Sequence, residues 1–145
     1  MAINYTASMG SKLEYSEDNG TTWKPIVGLT AIPEIGAKPS TIDTTTLDNL
    51  KFETIIYGLM PAVEFEFLFN MEDPNVEANI ATAWGQHIDG VVREWRITYS
   101  NGVTHKYKSR SICSFSELPT NEIAKFTMYH APIEEIVTDI PGMSA

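Results

Sequence analysis

The chain has little cysteine, little basic charge and no long apolar run. Cys113 is the only cysteine among 145 residues, so no intramolecular disulfide can form and a four-cysteine zinc site is excluded. No uninterrupted apolar stretch approaches the ~20 residues that a membrane-spanning helix needs. The first residues lack the basic start and apolar core of a secretory signal peptide. These absences favour a single domain, residues 1–145, that folds in a reducing cytoplasm and does not insert into a membrane.

Acidic residues dominate the charge. Ten Lys and Arg stand against nineteen Asp and Glu, for a net charge of −9. Such a chain does not favour binding to DNA, because that binding depends on Lys and Arg releasing counterions from the phosphates. The charge is also uneven along the sequence: residues 64–77 hold five acids and no base, whereas residues 93–110 hold five bases and one acid. Two interpretations stay open, an ordinary mixture of solvated faces and a head-to-tail contact between copies of the chain.

The stretch SEDNGTTW, residues 16–23, is similar to the Asp-box hairpins of sialidase propellers. Asn and Gly tolerate positive φ in a tight turn, and apolar residues flank the turn on both sides. A propeller needs at least four blades, and a single copy in 145 residues cannot supply them. The motif therefore predicts a hairpin between Lys12–Tyr15 and Trp23–Val27, and not a glycosidase.

Residues 33–60 predict a long projecting arm. Two short extended segments fit this region, near Ser40–Thr46 and Phe52–Tyr57, but their apolar residues alternate poorly, so neither need belong to the core sheet. An arm of this length is uncommon in a compact domain unless it has a function. Its isolated apolar side chains have no obvious place inside a single domain.

The remaining segments predict a β-rich core with one helix. Val63–Phe69 alternates cleanly and is a core strand. Asp73 and Pro74 are typical of a helix start, so a helix over residues 74–86 is expected, with Val76, Ile80, Ala83 and Trp84 packed on the sheet. Asn101-Gly102 predicts a hairpin of Val91–Tyr99 with Val103–Ser109. Further strands fit Ser111–Glu117 and Ile123–Tyr129, and the C-terminal segment, residues 132–145, is expected to fray or to dock on a neighbour.

No constellation in the sequence points to catalysis. The histidines show no spacing that is typical of metal ligands, and no phosphate-binding glycine loop is present. Glu64 and Glu66 lie on the same side of one strand, whereas the paired acids of glycosidases flank a cleft. We therefore expect neither an enzyme nor a cofactor.

In chain order, the segments resemble the tail tube (major tail) proteins of long-tailed, siphovirus-type bacteriophages, which are related to the tube proteins of type VI secretion. The resemblance rests on GSKLEYSEDNGTTWKPIVGLTAIPEIG, STIDTTTLDNLKFETIIYGL, VEFEFLFN and WRITYSNGVTHKY, and it spans roughly residues 9–130. It implies a mainly β fold, a β-sandwich or barrel of antiparallel strands with one flanking helix and the projecting arm. It also implies six copies per ring and rings stacked into a hollow tube, without catalysis or cofactor.

The resemblance further implies partners and a location. The partners are copies of the chain and the tape-measure, tail terminator and baseplate or tip proteins, while DNA passes through without specific binding. The location is the tail of a virion assembled in the host cytoplasm. A non-catalytic carbohydrate-binding β-sandwich is the alternative, because Trp23, Trp84 and Trp95 could stack on sugars.

Three groups of candidate contact residues follow. The arm contact consists of Ile42, Thr44, Thr46, Leu47, Phe52 and Ile55. Charged ring contacts are expected between Arg93, Arg96, Lys106 and Lys108 on one side and Glu72, Asp73 and Glu77 on the other. Glu64 and Glu66 either line the lumen of the tube or join that contact.

Overall fold

A computed structural model describes residues 9–36, 38–48, 52–59 and 63–143 of the chain. Within these residues, ten strands and one helix follow one another along the chain. They are β1 Lys12–Ser16, β2 Lys24–Ile26, β3 Leu29–Ala31, β4 Thr41–Asp43, β5 Ile55–Tyr57, β6 Phe65–Asn70, α1 Asn79–Asp89, β7 Val92–Thr98, β8 Thr104–Phe115, β9 Lys125–His130 and β10 Val137–Asp139. The predicted mainly β class with one helix is confirmed.

Eight strands form one antiparallel sheet in the order β2-β1-β7-β8-β9-β6-β3, with β10 paired to β8 beside this path. β8 joins two halves of the sheet, because its first part pairs with β7 up to Arg110 and its last part pairs with β9 from Ser111 onward. Rings from the two halves meet in the core: the Trp95 and His130 centroids are 4.1 Å apart, and those of Phe65 and Tyr107 are 5.4 Å apart. The sheet thus folds over on itself as a sandwich.

The two edge strands of this sheet, β2 and β3, are separated by only two residues, Val27 and Gly28. No ladder joins them in the part of the chain that the structure describes, so the sheet does not close into a barrel. Asn79 holds the corner, since its side-chain amide donates to the carbonyl oxygens of Val27 and Asn70, each at 2.8 Å. The path of the sheet is thereby fastened to the start of the helix.

The alternating patterns identify the core correctly. Phe65, Phe67 and Phe69 are buried on one side of β6, and Phe126 and Met128 come from the neighbouring strand β9. Leu13, Ile26, Trp95 and Ile97 are buried in the other half of the sandwich. Burial of these large side chains supplies most of the driving force for folding.

The predicted start of the helix is wrong. Residues 74–78 form turns, in which the Glu77 N–H donates to Asn75 Oδ1 at 2.8 Å, and α1 begins only at Asn79. Glu72 accepts the Asn79 N–H at 2.9 Å, so this carboxylate takes the role that was expected of Asp73. Val76 consequently lies outside the helix and is 95% exposed, whereas Ile80 and Ala83 are buried as predicted. The helix ends at Gly90, whose φ of 64° is the left-handed conformation of a C-cap.

Three further differences concern strands. The two strands expected over 103–109 and 111–117 are one continuous strand, β8, because buried Ser109 and Ser111 carry the chain through the fold of the sheet. β3 was not expected, and it pairs with β6 at Leu29 and Ala31. The C-terminal segment shows a third arrangement besides fraying and docking on a neighbour, since Val137–Asp139 pairs with Thr104–Lys106 of its own chain.

Candidate assembly surfaces

The arm contains a small hairpin of its own. β4 and β5 pair at Thr41 with Tyr57, Ile42 with Ile56 and Asp43 with Ile55, in a two-stranded sheet separate from the core sheet. Threonines continue the hairpin outward: the Thr44 N–H donates to Thr54 O at 2.9 Å, and the Thr54 N–H donates to Thr45 Oγ1 at 2.8 Å. The expectation that these two segments need not belong to the core sheet is confirmed for β4 and β5, whereas Ile35, which also falls in the predicted arm, packs against the core.

The hairpin is covered with exposed apolar side chains. Within residues 38–48 and 52–59, seven large apolar residues are more than half exposed: Ile42, Leu47, Phe52, Ile55, Ile56, Tyr57 and Leu59. Ile42 and Ile56 share one face and Ile55 and Tyr57 share the other, because side chains alternate along a strand. Both faces are therefore apolar. Sequence reasoning missed Ile56, Tyr57 and Leu59, although the run IIYGL was a signal for them.

Two of the candidate arm residues are polar. Thr44 Oγ1 donates to Thr54 Oγ1 at 3.0 Å and so stabilises the end of the hairpin. Thr46 is exposed and follows directly after this seam of threonines. These residues shape the hairpin, whereas the apolar residues give it the surface that a partner can cover.

The basic segment is paired largely within its own chain. Arg93 Nη2 lies 2.6 Å from Asp89 Oδ2, and Arg93 Nε lies 3.2 Å from Glu17 Oε1. Arg96 Nη2 lies 3.0 Å from Glu14 Oε1, and the Arg96 guanidinium stands 4.4 Å from the centroid of the Trp23 ring. These two arginines are thus engaged in the outer face of the sheet.

Lys106 and Lys108 lie in the same sheet, opposite Arg96 and Glu94 of β7. Lys108, Glu94 and Glu134 line a groove in the surface, and Lys106 and Glu135 line it as well. Acids therefore lie beside four of the five bases of residues 93–110, namely Arg93, Arg96, Lys106 and Lys108. Charge that is separated along the sequence is mixed in space.

The acids of residues 64–77 fall into two places. Glu64 and Glu66 are exposed on the outer side at β6, where they line a groove together with Glu34 and Lys38. Glu72, Asp73 and Glu77 lie in the turns before α1, and Glu72 is bonded to Asn79 in both directions through its backbone N–H and its carboxylate. Asp73 and Glu77 are exposed.

A second apolar surface lies where the helix meets the end of β8. Trp84 is 39% exposed, against the expectation of burial, and its ring stacks on His87 at 4.7 Å. Its other neighbour is Phe115, at 5.3 Å between centroids and 56% exposed. The helical stripe did not predict this exposure, because the buried side of α1 is formed by Asn79, Ile80, Ala83 and Gln86.

The SEDNGTTW stretch is a turn. The Gly20 N–H donates to Ser16 Oγ at 2.8 Å, and the Thr22 N–H donates to Asp18 Oδ1 at 2.8 Å. The hydrogen bond from Thr22 lowers the pKa of Asp18 to about 2. Asn19 has a φ of 58°, the positive value that such a turn requires. The Asp18 carboxylate thus stabilises the hairpin that contains it.

Sugar binding, metal binding and membrane insertion can each be compared with the residues that the structure describes. Trp95 is fully buried and Trp23 lies beneath Arg96, so the tryptophans do not form an exposed row for sugars. Among residues 9–36, 38–48, 52–59 and 63–143, no group of three or more His, Cys, Asp or Glu could hold a metal ion. No helix in these same ranges has the length and apolar character to span a bilayer.

The fold has relatives among solved structures. A chain from the tail of an empty gene transfer agent particle, refined with C6 symmetry, matches with a TM-score of 0.68 and 14% identity over 89% of this chain and 95% of that chain. A chain from the sixfold-symmetrised baseplate of the anti-feeding prophage matches with a TM-score of 0.66 and 6% identity over 99% of this chain and 100% of its own length. No protein-family model and no curated protein sequence matches the chain.

A third structure, the sheath/tube terminator of an extracellular contractile injection system, matches with a TM-score of 0.65 and 10% identity over 96% of this chain and 100% of that chain. At these identities the likeness establishes the fold. The predicted resemblance to tail tube proteins is confirmed at that level, since the three structures come from a tail, a baseplate and a sheath/tube terminator.

Proposed function

We propose that the chain is the structural subunit of a tail tube. Six copies form a ring, rings stack into a hollow tube within a virion tail, and DNA passes through the tube into the host. The subunit is assembled in the host cytoplasm and meets tape-measure, terminator and baseplate or tip proteins at the tube interior and ends. It has no catalytic role.

The exposed β4–β5 hairpin is the observation that carries this proposal. Fold alone does not determine function, and the likeness to tail-like assemblies is a likeness of fold. Exposed apolar side chains on both faces of a projecting hairpin are unfavourable in water unless a partner covers them. Insertion between two neighbouring copies buries both faces at once. Ile42, Leu47, Phe52 and Ile55 then contact protein on either side.

The charges support a second contact. Ring closure requires two unlike patches on each subunit, one for each neighbour. Lys106 and Lys108 on the sheet and Asp73 and Glu77 before the helix are exposed or half-exposed and of opposite sign. Arg93, Arg96 and Glu72 reinforce these patches, although their side chains also bond within the chain. The two patches meet across the ring.

Glu64 and Glu66 are the acidic residues that we assign to the wall of the lumen. A surplus of carboxylates on a tube wall repels the phosphates of DNA and prevents the DNA from adhering to the wall. Glu66 on β6 and Glu64 directly before it are both exposed, away from the buried phenylalanines of the strand. They line the lumen in this proposal.

The hairpin is tested by removing its apolar contacts. The triple substitution Ile42→Ser, Phe52→Ser and Ile55→Ser should leave a folded monomer, because these side chains are exposed in the single chain. Negative-stain microscopy and sedimentation velocity at high concentration then show monomers, where the unaltered protein forms rings and tubes. Thermal unfolding of the monomer should change by only a few degrees.

A matched control uses exposed apolar residues elsewhere. Met9→Ser, Leu118→Ser and Ile123→Ser remove side chains that are 88%, 62% and 61% exposed, and tubes should persist. Normal tubes from the hairpin variant contradict the hairpin contact. An unaltered protein that forms neither rings nor tubes, alone or with preformed tail tips, contradicts the tube function.

A further inference from the structure

One edge of β8, before Ser111, pairs with no core strand. Within the described residues, only the C-terminal segment covers this edge. On the side opposite β7, β9 pairs with Ser111–Phe115 and stops at His130. The part of β8 before Ser111 is left to residues 132–143, which run antiparallel beside it, with Val137, Thr138 and Asp139 opposite Lys106, His105 and Thr104. The Ile133 N–H also donates to Lys108 O at 3.0 Å.

The segment is held weakly in comparison with the core strands. Its ladder has three residue pairs, whereas β6 and β9 share six pairs, three of which have buried side chains on both strands. Every residue of β10 is exposed, and Ile136 is the residue of this segment that packs against the core as a partly buried side chain. One side-chain contact is added between His105 Nδ1 and Thr138 Oγ1, at 2.8 Å. Little apolar burial therefore opposes the release of the segment.

The apolar residues of the segment point away from their own domain. Ile133, Val137 and Met143 are between 62% and 67% exposed, and Ile140 is 43% exposed. In the single chain these side chains gain little from the place that the segment occupies. In an exchange, the stretch that crosses from one copy to the next, which contains Ile133, lies between two domains and can bury apolar area there.

We infer that β10 is exchanged between neighbouring copies. The segment of one copy leaves its own β8 and pairs with Thr104–Lys106 of the next copy, whose own segment has moved on in the same way. The occupant of each edge is thus residues 137–139 of a second copy, which make the same ladder that they make within one chain. Exchange of an identical element costs little, because every backbone bond that breaks is formed again in the partner. This inference rests on the proposed tube function.

Cysteine pairs report where each segment lies. Lys106 and Val137 stand opposite each other and are both exposed, and opposite residues of an antiparallel pair lie at a distance that a disulfide can bridge. The test protein carries Lys106→Cys and Val137→Cys, with Cys113→Ser to remove the natural thiol. Because Lys106 belongs to the proposed ring contact, a second protein carries Thr104→Cys and Asp139→Cys, also with Cys113→Ser. This pair stands opposite in the same ladder and outside that contact, so it decides the test where the first protein does not assemble.

Oxidation after assembly distinguishes the two arrangements. Exchange gives a ladder of covalently linked oligomers on a non-reducing gel, up to six linked subunits per ring if exchange follows the ring. Segments that remain paired with β8 of their own chain give monomers with an internal disulfide, and this result overturns the inference. Val137→Cys with Cys113→Ser is the matched control, because a single cysteine per chain gives dimers at most.

Oxidation before assembly gives the second arm of the test. If exchange is required, the internally linked monomer forms at least tenfold fewer tubes than the reduced protein, and reduction restores them. Normal tubes from the linked monomer overturn the inference while the tube function stands. Absence of tubes from the unaltered and the reduced protein alike contradicts the tube function and the exchange together.

Discussion

Gly28 shows how a single residue fixes the path of the sheet. Its φ of 90° is unfavourable for residues with a side chain, and a Cβ there would stand 2.6 Å from Asn70 O and 2.7 Å from Asn79 Nδ2. The corner between β2 and β3 is therefore closed to anything larger than glycine.

Gly28→Ala should lower the free energy of unfolding by more than about 2 kcal/mol, since both the backbone conformation and the contact with Asn70 oppose the methyl group. Gly36→Ala is the matched control, because its φ of 95° is similar and nothing lies within 4 Å of its Cβ position. Urea unfolding of both variants separates the cost of the positive φ, which both share, from the cost of the close contact, which only Gly28→Ala has. Equal losses would show that the packed corner has no effect of its own.

His130 is a neutral side chain in the centre of the core. Its exposed fraction is 0%, and its two ring nitrogens lie 2.7 Å from Tyr107 Oη and 3.2 Å from Ser111 Oγ. Burial lowers the pKa of His130 to about 3. The same burial raises the pKa of Tyr107, so this network stays uncharged at neutral pH.

The protein should lose stability as the pH falls below about 6.5, because the unfolded state then binds a proton on this histidine that the native state excludes. The slope reaches at most about 1.4 kcal/mol per pH unit. His130→Gln should be less stable at pH 7 and should lose the larger part of this slope in urea unfolding between pH 6.5 and 4.5. Burial also lowers the pKa of His105, which contributes the remainder of the slope. The depressed pKa values of Asp18 and Asp89, about 2 in each case, act below that window. His87→Gln keeps His130 and should keep the slope, and the same slope in His130→Gln contradicts the assignment.

At the scale of elements, α1 is positioned by a side chain rather than by a capping residue in front of it. Asn79 donates from its side chain to two carbonyl oxygens, accepts the Glu72 N–H at 3.0 Å and donates its own N–H to the Glu72 carboxylate at 2.9 Å. Asn79 is 3% exposed, so the loss of its amide leaves these groups without water to replace it.

Asn79→Ala should cost about 2–4 kcal/mol of unfolding free energy, because three part-buried hydrogen bonds of its side chain are lost. Asn75→Ala removes two exposed hydrogen bonds and should cost under about 1 kcal/mol. The Glu77 N–H donates to Asn75 Oδ1 at 2.8 Å, and Asn75 Nδ2 donates to Asp73 O at 3.3 Å. Chemical denaturation followed by circular dichroism measures both. Similar costs would mean that the helix is not fastened through Asn79.

At the scale of the whole molecule, the effect of net charge on assembly has to be distinguished from the effect of where the charges lie. Lys106→Glu with Lys108→Glu changes the net charge from −9 to −13, because each substitution removes one positive charge and adds one negative charge. Lys12→Glu with Lys24→Glu makes the same change at exposed positions of β1 and β2. If the ring contact uses Lys106 and Lys108, the first variant should require at least tenfold more protein for assembly in light scattering. Equal shifts in both variants would assign the effect to net charge alone.

The core strands and the two hairpins could be predicted from the sequence because their signals are local. Val63–Phe69 alternates over its whole length, and Asn-Gly occurs in both turns. The start of α1 could not be predicted, because it depends on a hydrogen bond from Asn79 to Val27, 52 residues earlier in the chain. The mixing of charge was hidden for the same reason, since Arg96 meets Glu14 across 82 residues.

The sequence by itself determined which side of the core strands is buried and that β4 and β5 stand outside the core sheet, since alternation and isolated apolar residues are properties of neighbours along the chain. The tertiary structure alone decided which acids neutralise which bases, which face of α1 is buried and that Val137–Asp139 covers an edge of β8. These features are contacts between distant segments. Their free energies depend on distances that only the folded chain sets.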